Sequence, residues 1–325
     1  MRAVIITEVG GPEVLRLVER DKPEPARGEV RVRVHAAALN RADLQQRRGY
    51  YAAPADSPQD IPGLEYAGEV DALGPDVTGL SVGDRVFGLV GGGAYAEYIV
   101  THARALARIP VHLSYEDAAA LPEGCITSYD AMYSQARLRG GETVLIHAAG
   151  SGVGTLAVQI AHALGAVTIG TARTADKLER AKKLGLTHGV VATDGKFADA
   201  VKQHAPDGVS VILDLVGGAY VEEGLRCIQV GGRLVEVGLT AGVRATLELA
   251  LLLHRRATII GTVIRARPLE EKIAVHRTFE REVVPLITRG AVKAVIDEVV
   301  PLADTAKAHA RMESNDTFGK IVLRM

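Results

Sequence analysis

Two hydrophobic periods divide this chain, and the change between them falls near Pro122. Before it, apolar and polar residues alternate in short runs separated by Gly and Pro: RAVIITEV, EVRVRVHAAAL, EYAGEVDALG, GDRVFGL and AYAEYIVTHARALARIP. In EVRVRVHA the alternation places Val30, Val32 and Val34 on one face and Arg31, Arg33 and His35 on the other, the period of a strand with one wet side. Short strands at this spacing predict a small barrel or sandwich. His35 reads as a surface or strand-end histidine.

After Pro122 the segment EGCITSYDAMYSQARL has a helical pattern, and strands then alternate with helices to about residue 264. Predicted strands are TVLIHA, AVTIGTA, THGVVA, VSVILDLV, RLVEVGL and ATIIGTVI; predicted helices include VGTLAVQIAHALG, ADKLERAKKLG and FADAVKQHA. This alternation argues for a parallel sheet covered on both faces. The apolar segment TLELALLLHRRATII is interrupted by Glu248 and by His254, Arg255 and Arg256, so it reads as a packed helix with a basic end followed by a strand. The last 60 or so residues give a long amphipathic helix, EEKIAVHRTFEREVVPLITRG, then VIDEVVP, a short helix and the terminal strand GKIVLRM. The expected class is α/β, with an inserted domain, 124–264, between two parts, 1–123 and 265–325, of a β-rich domain.

Chain-wide quantities narrow the function classes. A chain of 325 residues exceeds the usual size of one core, consistent with two domains. Acidic and basic residues nearly cancel, 39 against 38, with no long block of one sign, which argues against a nucleic-acid or anionic-membrane partner. Two cysteines, Cys125 and Cys227, are too few for a disulfide scaffold or a Cys-rich metal site, and a cytoplasmic setting is expected. MRAVIITEVG runs straight into a strand pattern without an apolar signal segment, and no uncharged apolar run of about 18 residues follows.

The chemistry concentrates in residues 142–173, ETVLIHAAGSGVGTLAVQIAHALGAVTIGTAR, where a strand passes through a glycine turn into a helix and a second strand. Gly150, Gly152 and Gly154 permit a tight turn and close phosphate approach, with the helix N-terminus aimed at the same place. The literal G-x-G-x-x-G is absent, since Ala149 and Ser151 occupy its first two glycine positions; the strand-turn-helix-strand context carries the reading. NAD enzymes normally carry an acid about 20 residues after these glycines. Here Ala172 is followed by Arg173, with Lys177 one turn later. These bases either grip a 2′-phosphate or form a solvated first turn, and their mismatch with the helix dipole favours the first, hence NADP(H). Gly217 and Gly218 after VILDLV, and Gly238 and Leu239 after the next strand, fall at strand ends where parallel sheets bind ligands.

With NRADLQQRRGYY, GLEYAG, LVGGGAYAEYIV, HAAGSGVG and FGKIVL in this order, the chain resembles the medium-chain dehydrogenase/reductase superfamily over essentially its full length. Within it, the chain is similar to the zinc-independent quinone oxidoreductases related to zeta-crystallin, and most to their p53-inducible branch. The resemblance implies a GroES-like substrate-facing domain from 1–123 and 265–325, a Rossmann NADP(H)-binding domain at 124–264, and a site between them. Zinc-dependent members carry a Cys at the position of Asn40 and a His in the triplet that reads Gly63, Leu64, Glu65 here. Both ligands are missing, and two cysteines cannot supply the four-cysteine structural loop. Glu65 then reads as a structural ion-pair partner.

The same resemblance implies Asn40, Tyr51 and Arg267 as substrate-site residues. Asn40 is an amide donor or a helix cap, and Tyr51 a hydroxyl donor, an aromatic wall or a loop anchor. Arg267 attracts a substrate oxygen or cofactor phosphate; a surface ion pair is the alternative, equally open to it and to its near neighbour Arg265. A second tyrosine of the bacterial enzymes is replaced by Gln45. Implied cofactor contacts are Thr127 at the nicotinamide carboxamide, Ser151, Gly152 and Val153 at the pyrophosphate, Gly217, Gly238 and Leu239 at strand ends, and Asn315 and Lys320 near the chain end. Lys320 is alternatively a terminal-strand charge. His147 reads as structural rather than as a base, and Cys125 as a small buried thiol.

The implied activity is metal-free hydride transfer from NADPH to a quinone. Reduction of an activated carbon-carbon double bond, of enone, enoyl or haloacrylate type, is the alternative. A third reading is an NADPH-binding structural or RNA-binding protein, against which stand the balanced charge and the lack of an aromatic-basic platform. Partners are a small quinone or conjugated carbonyl and a second copy of the chain, paired through ATIIGTVI at the edge of the Rossmann sheet.

Overall fold

The computed structural model describes all of Met1–Met325. The chain forms two compact units: Met1–Glu123 with Ile264–Thr288 and Ala294–Met325, and Gly124–Val263 with Arg289–Lys293.

The first unit begins with β1 (Arg2–Ile6) and β2 (Leu15–Glu19), an antiparallel pair. Then follow β3 (Glu29–Ala38), α1 (Arg41–Arg47), β4 (Glu65–Leu73), β5 (Arg85–Leu89), β6 (Tyr98–His102), β7 (Ala107–Arg108) and α2 (Tyr115–Ala119). β3 is the hub, pairing antiparallel with both β4 and β6. Its alternation is realised as burial: Val30, Val32 and Val34 are buried, and Arg33 is exposed. His35 is neither at a strand end nor simply solvated. It is the extra residue where the β3–β4 register shifts between Val34 and Ala36, and its ring stacks on Tyr115 at 4.3 Å.

α3 (Pro122–Tyr129) continues through a π-helical turn, Asp130–Gln135. The second unit then builds β8 (Thr143–Ile146), α4 (Gly152–Ala163), β9 (Val167–Ala172), α5 (Ala175–Lys182), β10 (His188–Val191), α6 (Ala198–His204), β11 (Val209–Asp214), α7 (Ala219–Cys227), β12 (Ile228–Glu236), α8 (Leu249–Arg255) and β13 (Thr258–Gly261). Its six strands are all parallel, in the order β10-β9-β8-β11-β12-β13. Every residue of β11 is buried, as a central strand covered on both faces requires. α8 departs from the packed helix expected here: none of its residues is fully buried, and Leu249 and Leu253 are 65% and 73% exposed.

The return segment is α9 (Leu269–Thr278), a π-helical turn, α10 (Val284–Thr288), β14 (Ile296–Pro301), α11 (Thr305–Glu313) and β15 (Lys320–Arg324). β15 pairs with β3 and completes the sheet β14-β15-β3-β4-β5-β7 of the first unit. Residues 289–293 belong to the second unit, because the Gln159 amide binds both the N–H and the carbonyl of Lys293, at 2.9 and 3.0 Å. No helix is long and apolar enough to cross a membrane.

Candidate functional site

The C-terminal edge of the parallel sheet assembles most of the expected cofactor residues within the second unit. After β8 the chain turns through Ala148 and reaches Ser151, whose hydroxyl caps α4 by accepting the Gly154 N–H at 2.9 Å. The left-handed residue of the turn is Ala148, at φ 50°, where the glycines were expected to supply it. Gly154 serves a different need: a Cβ there would lie 2.2 Å from the Ala148 carbonyl oxygen. The N–H groups of Gly152 and Val153 have no acceptor within the chain, so the first turn of α4 offers two donors backed by the helix dipole. α3 lies against this turn, since a Cβ on Gly124 would meet Gly152 O at 3.0 Å. Thr127, one turn further along α3, is largely buried.

Arg173 directly follows β9 and is exposed, with Lys177 half-buried in the first turn of α5. No carboxylate stands at that strand end. The loops after β11 and β12 are joined: Gly217, at φ 70°, bridges to Gly242, and the Ala241 N–H donates to Val216 O at 2.8 Å. Gly238 passes so close to Leu215 that a Cβ would lie 2.6 Å from its carbonyl oxygen, and Leu239 is exposed beside it. Open helix N–H groups, a base at the β9 end and glycines at the β11 and β12 ends fit a phosphorylated dinucleotide.

The first unit gathers a second set. Asn40 caps the start of α1, and the Asp43 carboxylate accepts its backbone N–H at 2.8 Å. Its side chain is fully engaged: Nδ2 donates to Glu65 at 3.0 Å and to Ala38 O at 3.3 Å, and Oδ1 accepts from Lys320 at 2.6 Å. The amide expected to face substrate is therefore committed to the fold. Lys320, expected near the cofactor or as a terminal-strand charge, is likewise buried, in an ion pair with Glu65. Burial pulls the Lys320 pKa down, but Glu65 and Glu123 outweigh it and leave the ammonium above its ordinary value. Asn315, at φ 63°, accepts from Arg41.

Tyr51 stands differently. Its ring is half-buried against the Arg265 guanidinium, 5.0 Å from the ring centre, and its hydroxyl has no partner within the chain. Arg265 is buried and donates to Gly91 O at 2.7 Å, Tyr51 O at 3.2 Å and Gln46. Burial raises the Tyr51 pKa while the Arg265 charge opposes the rise. Arg265 is thus an arginine joined to Tyr51, a role the sequence did not point to. Arg267 lies half-buried two residues on. Deeper in, burial lifts Asp43 to about 6 despite hydrogen bonds from the Asn40 N–H, the Tyr95 hydroxyl and the Gly63 N–H.

Two further features follow from the strand ends. His147 is buried between Phe197 and Tyr220, bonds Thr171 at 2.9 Å through Nδ1, and is driven down to about 4 by burial. It is a neutral packed ring. Asp214 and Glu236, level with each other on β11 and β12, carry buried carboxylate oxygens without a side-chain donor. Only their pairing in the sheet register brings them together, which a single sequence does not display.

Residues 152–281 match the family model described as zinc-binding dehydrogenase, and residues 26–111 match the alcohol dehydrogenase GroES-like domain. A quinone oxidoreductase of Pseudomonas aeruginosa is 35% identical over 324 residues, covering 97% of this chain and 96% of that protein. The synaptic vesicle membrane protein VAT-1 homolog of Danio rerio is 31% identical over 337 residues, 99% of this chain and 69% of that protein. The crystal structure of Escherichia coli quinone oxidoreductase complexed with NADPH matches with a TM-score of 0.88 at 30% identity, covering 100% of both chains. Two family segments in order, one fold and similarity along the whole length place this chain in the medium-chain dehydrogenase/reductase superfamily, with quinone oxidoreductases among its relatives.

Proposed function

We propose that this protein is an NADPH-dependent oxidoreductase whose acceptor is a quinone. The observation that carries the cofactor is the exposed Arg173 at the end of β9, where a carboxylate would repel a 2′-phosphate. In this reading Arg173 and Lys177 hold the 2′-phosphate, the Gly152 and Val153 N–H groups hold the pyrophosphate, and Thr127, Gly217, Gly238 and Leu239 border the rest. Bound NADPH supplies a hydride. The chain's own part is to bind the acceptor and stabilise the oxygen on which negative charge grows.

Tyr51 is the donor for that oxygen, because its hydroxyl has no competing acceptor and Arg265 fixes the ring. Arg267 adds positive field. Asn40 acts as a positioning residue, since its amide is already engaged. A quinone suits this modest set of groups, being a strong hydride acceptor without further activation. The relatives named quinone oxidoreductase support the same choice.

The test is NADPH oxidation followed against ortho-quinones, para-quinones, enones and enoyl thioesters. Fastest turnover with quinones is expected. Reduction confined to enones or enoyl thioesters would reassign the enzyme to activated double bonds, and NADPH binding without oxidation of any acceptor would make it a binding protein.

A further inference from the structure

The ends of β11 and β12 hold a carboxyl pair that neither hydride transfer nor phosphate binding uses. Asp214 and Glu236 are partners in the strand register, so their side chains leave neighbouring strands at the same height. Asp214 is fully buried, and its Oδ1 accepts the Val216 and Gly217 N–H groups at 2.8 and 2.9 Å. Its backbone carbonyl accepts Val237 N–H at 2.9 Å and Gly238 N–H at 3.2 Å. Asp214 thereby ties down both glycine turns assigned to the cofactor. Its Oδ2 and both Glu236 oxygens are buried without a side-chain donor, and the Gly238 N–H only partly offsets the rise that burial imposes on Glu236.

Three acceptor oxygens in one buried place leave two carboxylates facing each other unless a proton lies between them. The groups packed around the pair are these. His147 on the β8 side is kept neutral by burial. Tyr220 of α7 is held protonated by burial and by the Asp214 charge, which the Arg173 charge opposes. In the π-helical turn packed on these strands, Asp130 accepts from Thr262 Oγ1 at 3.2 Å and Tyr133 is held protonated by burial.

We infer that Glu236 is a positioning residue for the dinucleotide, which in its protonated form donates to Asp214 Oδ2 and locks the Gly217 and Gly238 turns in their binding arrangement. This rests on the dinucleotide assignment above. Burial first, and the Asp214 charge second, raise the Glu236 pKa above the carboxylate range. The sign follows: a carboxyl whose folded pKa is raised gives its full stabilisation below the unfolded value and loses it as pH rises through the folded one. Alkaline pH then loosens the two turns.

The experiment measures the NADPH dissociation constant by cofactor fluorescence from mildly acid to alkaline pH, with thermal midpoints of the cofactor-free protein in the same buffers. Native protein should bind about tenfold more weakly at the alkaline end, the effect of about one unit of proton linkage. Glu236→Gln, whose amide donates at every pH, should flatten both profiles. Asp214→Asn, which keeps an oxygen for the Val216 and Gly217 N–H groups, should flatten the thermal profile from the other side if Glu236→Gln folds poorly. Variant thermal profiles parallel to native would overturn the shared proton. Flattened thermal profiles with unchanged pH dependence of NADPH binding would overturn the positioning role. Native protein that binds no NADPH at any pH would instead refute the cofactor reading, while the thermal arm still judges the pair.

Discussion

A guanidinium and a carboxylate at the end of β9 make opposite demands on a ribose 2′ substituent. Arg173→Asp should weaken NADPH binding about 100-fold, the size of lost charge-assisted bonds plus new repulsion, and change NADH binding little. Titration with both dinucleotides checks this, and equal losses would remove Arg173 from the 2′-phosphate site. Lys320 poses the other residue-scale question, because it lies in the fold rather than at its edge. Replacing it with Met strands the Glu65 carboxylate, which would keep only the Asn40 amide and the Glu123 N–H, the latter donating to it at 2.8 Å from the start of α3. A buried pair broken on one side should lower stability by about 3 to 5 kcal/mol. Glu65→Gln with Lys320→Met removes both charges and should recover much of that in denaturant titration; a double variant no more stable than Lys320→Met alone would mean that the stranded charge is not the cause.

At the scale of elements, the α4 turn shows what backbone approach demands. The Ala148 carbonyl fills the space a side chain would take at Gly154, so Gly154→Ala must push α4 off the β8 turn. The expected loss is about 1 to 3 kcal/mol of stability, together with weaker NADPH binding, because the Gly152 and Val153 N–H groups move with the helix. An unchanged midpoint in thermal unfolding would refute the close contact. The parallel sheet was legible because its strands and helices repeat a local pattern, and the alternation of Val30, Val32 and Val34 foretold which face of β3 is buried. Features fixed by meetings between distant segments were not legible. Lys320 reads locally as a strand-end charge, and only the pairing of β15 with β3 carries it to Glu65. His35 follows the alternation of β3, yet the register shift against β4 makes it a bulge residue on Tyr115. The same holds for Arg265 and Arg267, alike in sequence and separated only by which one the loop of Tyr51 encloses.

For the molecule as a whole, the sheet of the second unit ends at β13, which pairs with β12 alone. Its side chains do not protect that edge. Ile259 is 37% exposed, Val263 just beyond the strand 48%, and Leu249 and Leu253 are exposed on α8 nearby in sequence. An open strand edge with exposed aliphatic side chains invites pairing, and soluble proteins usually charge, shorten or cover such an edge. At the opposite edge, on β10, His188 stacks on His204 at 4.3 Å and Val191 is the one large apolar side chain exposed, with no exposed aliphatic helix following it as α8 precedes β13. We therefore expect two copies to pair β13 against β13 about a two-fold axis, each covering the other's exposed α8 and β13 side chains. Equilibrium sedimentation should find twice the mass of the chain. Ile259→Lys places a charge on that edge without disturbing a buried contact, and should shift the equilibrium to single chains while leaving the thermal midpoint at low protein concentration nearly unchanged. A native protein that sediments as a single chain, or an Ile259→Lys variant that stays dimeric, would move the interface elsewhere and leave β13 as an edge whose exposure needs another explanation.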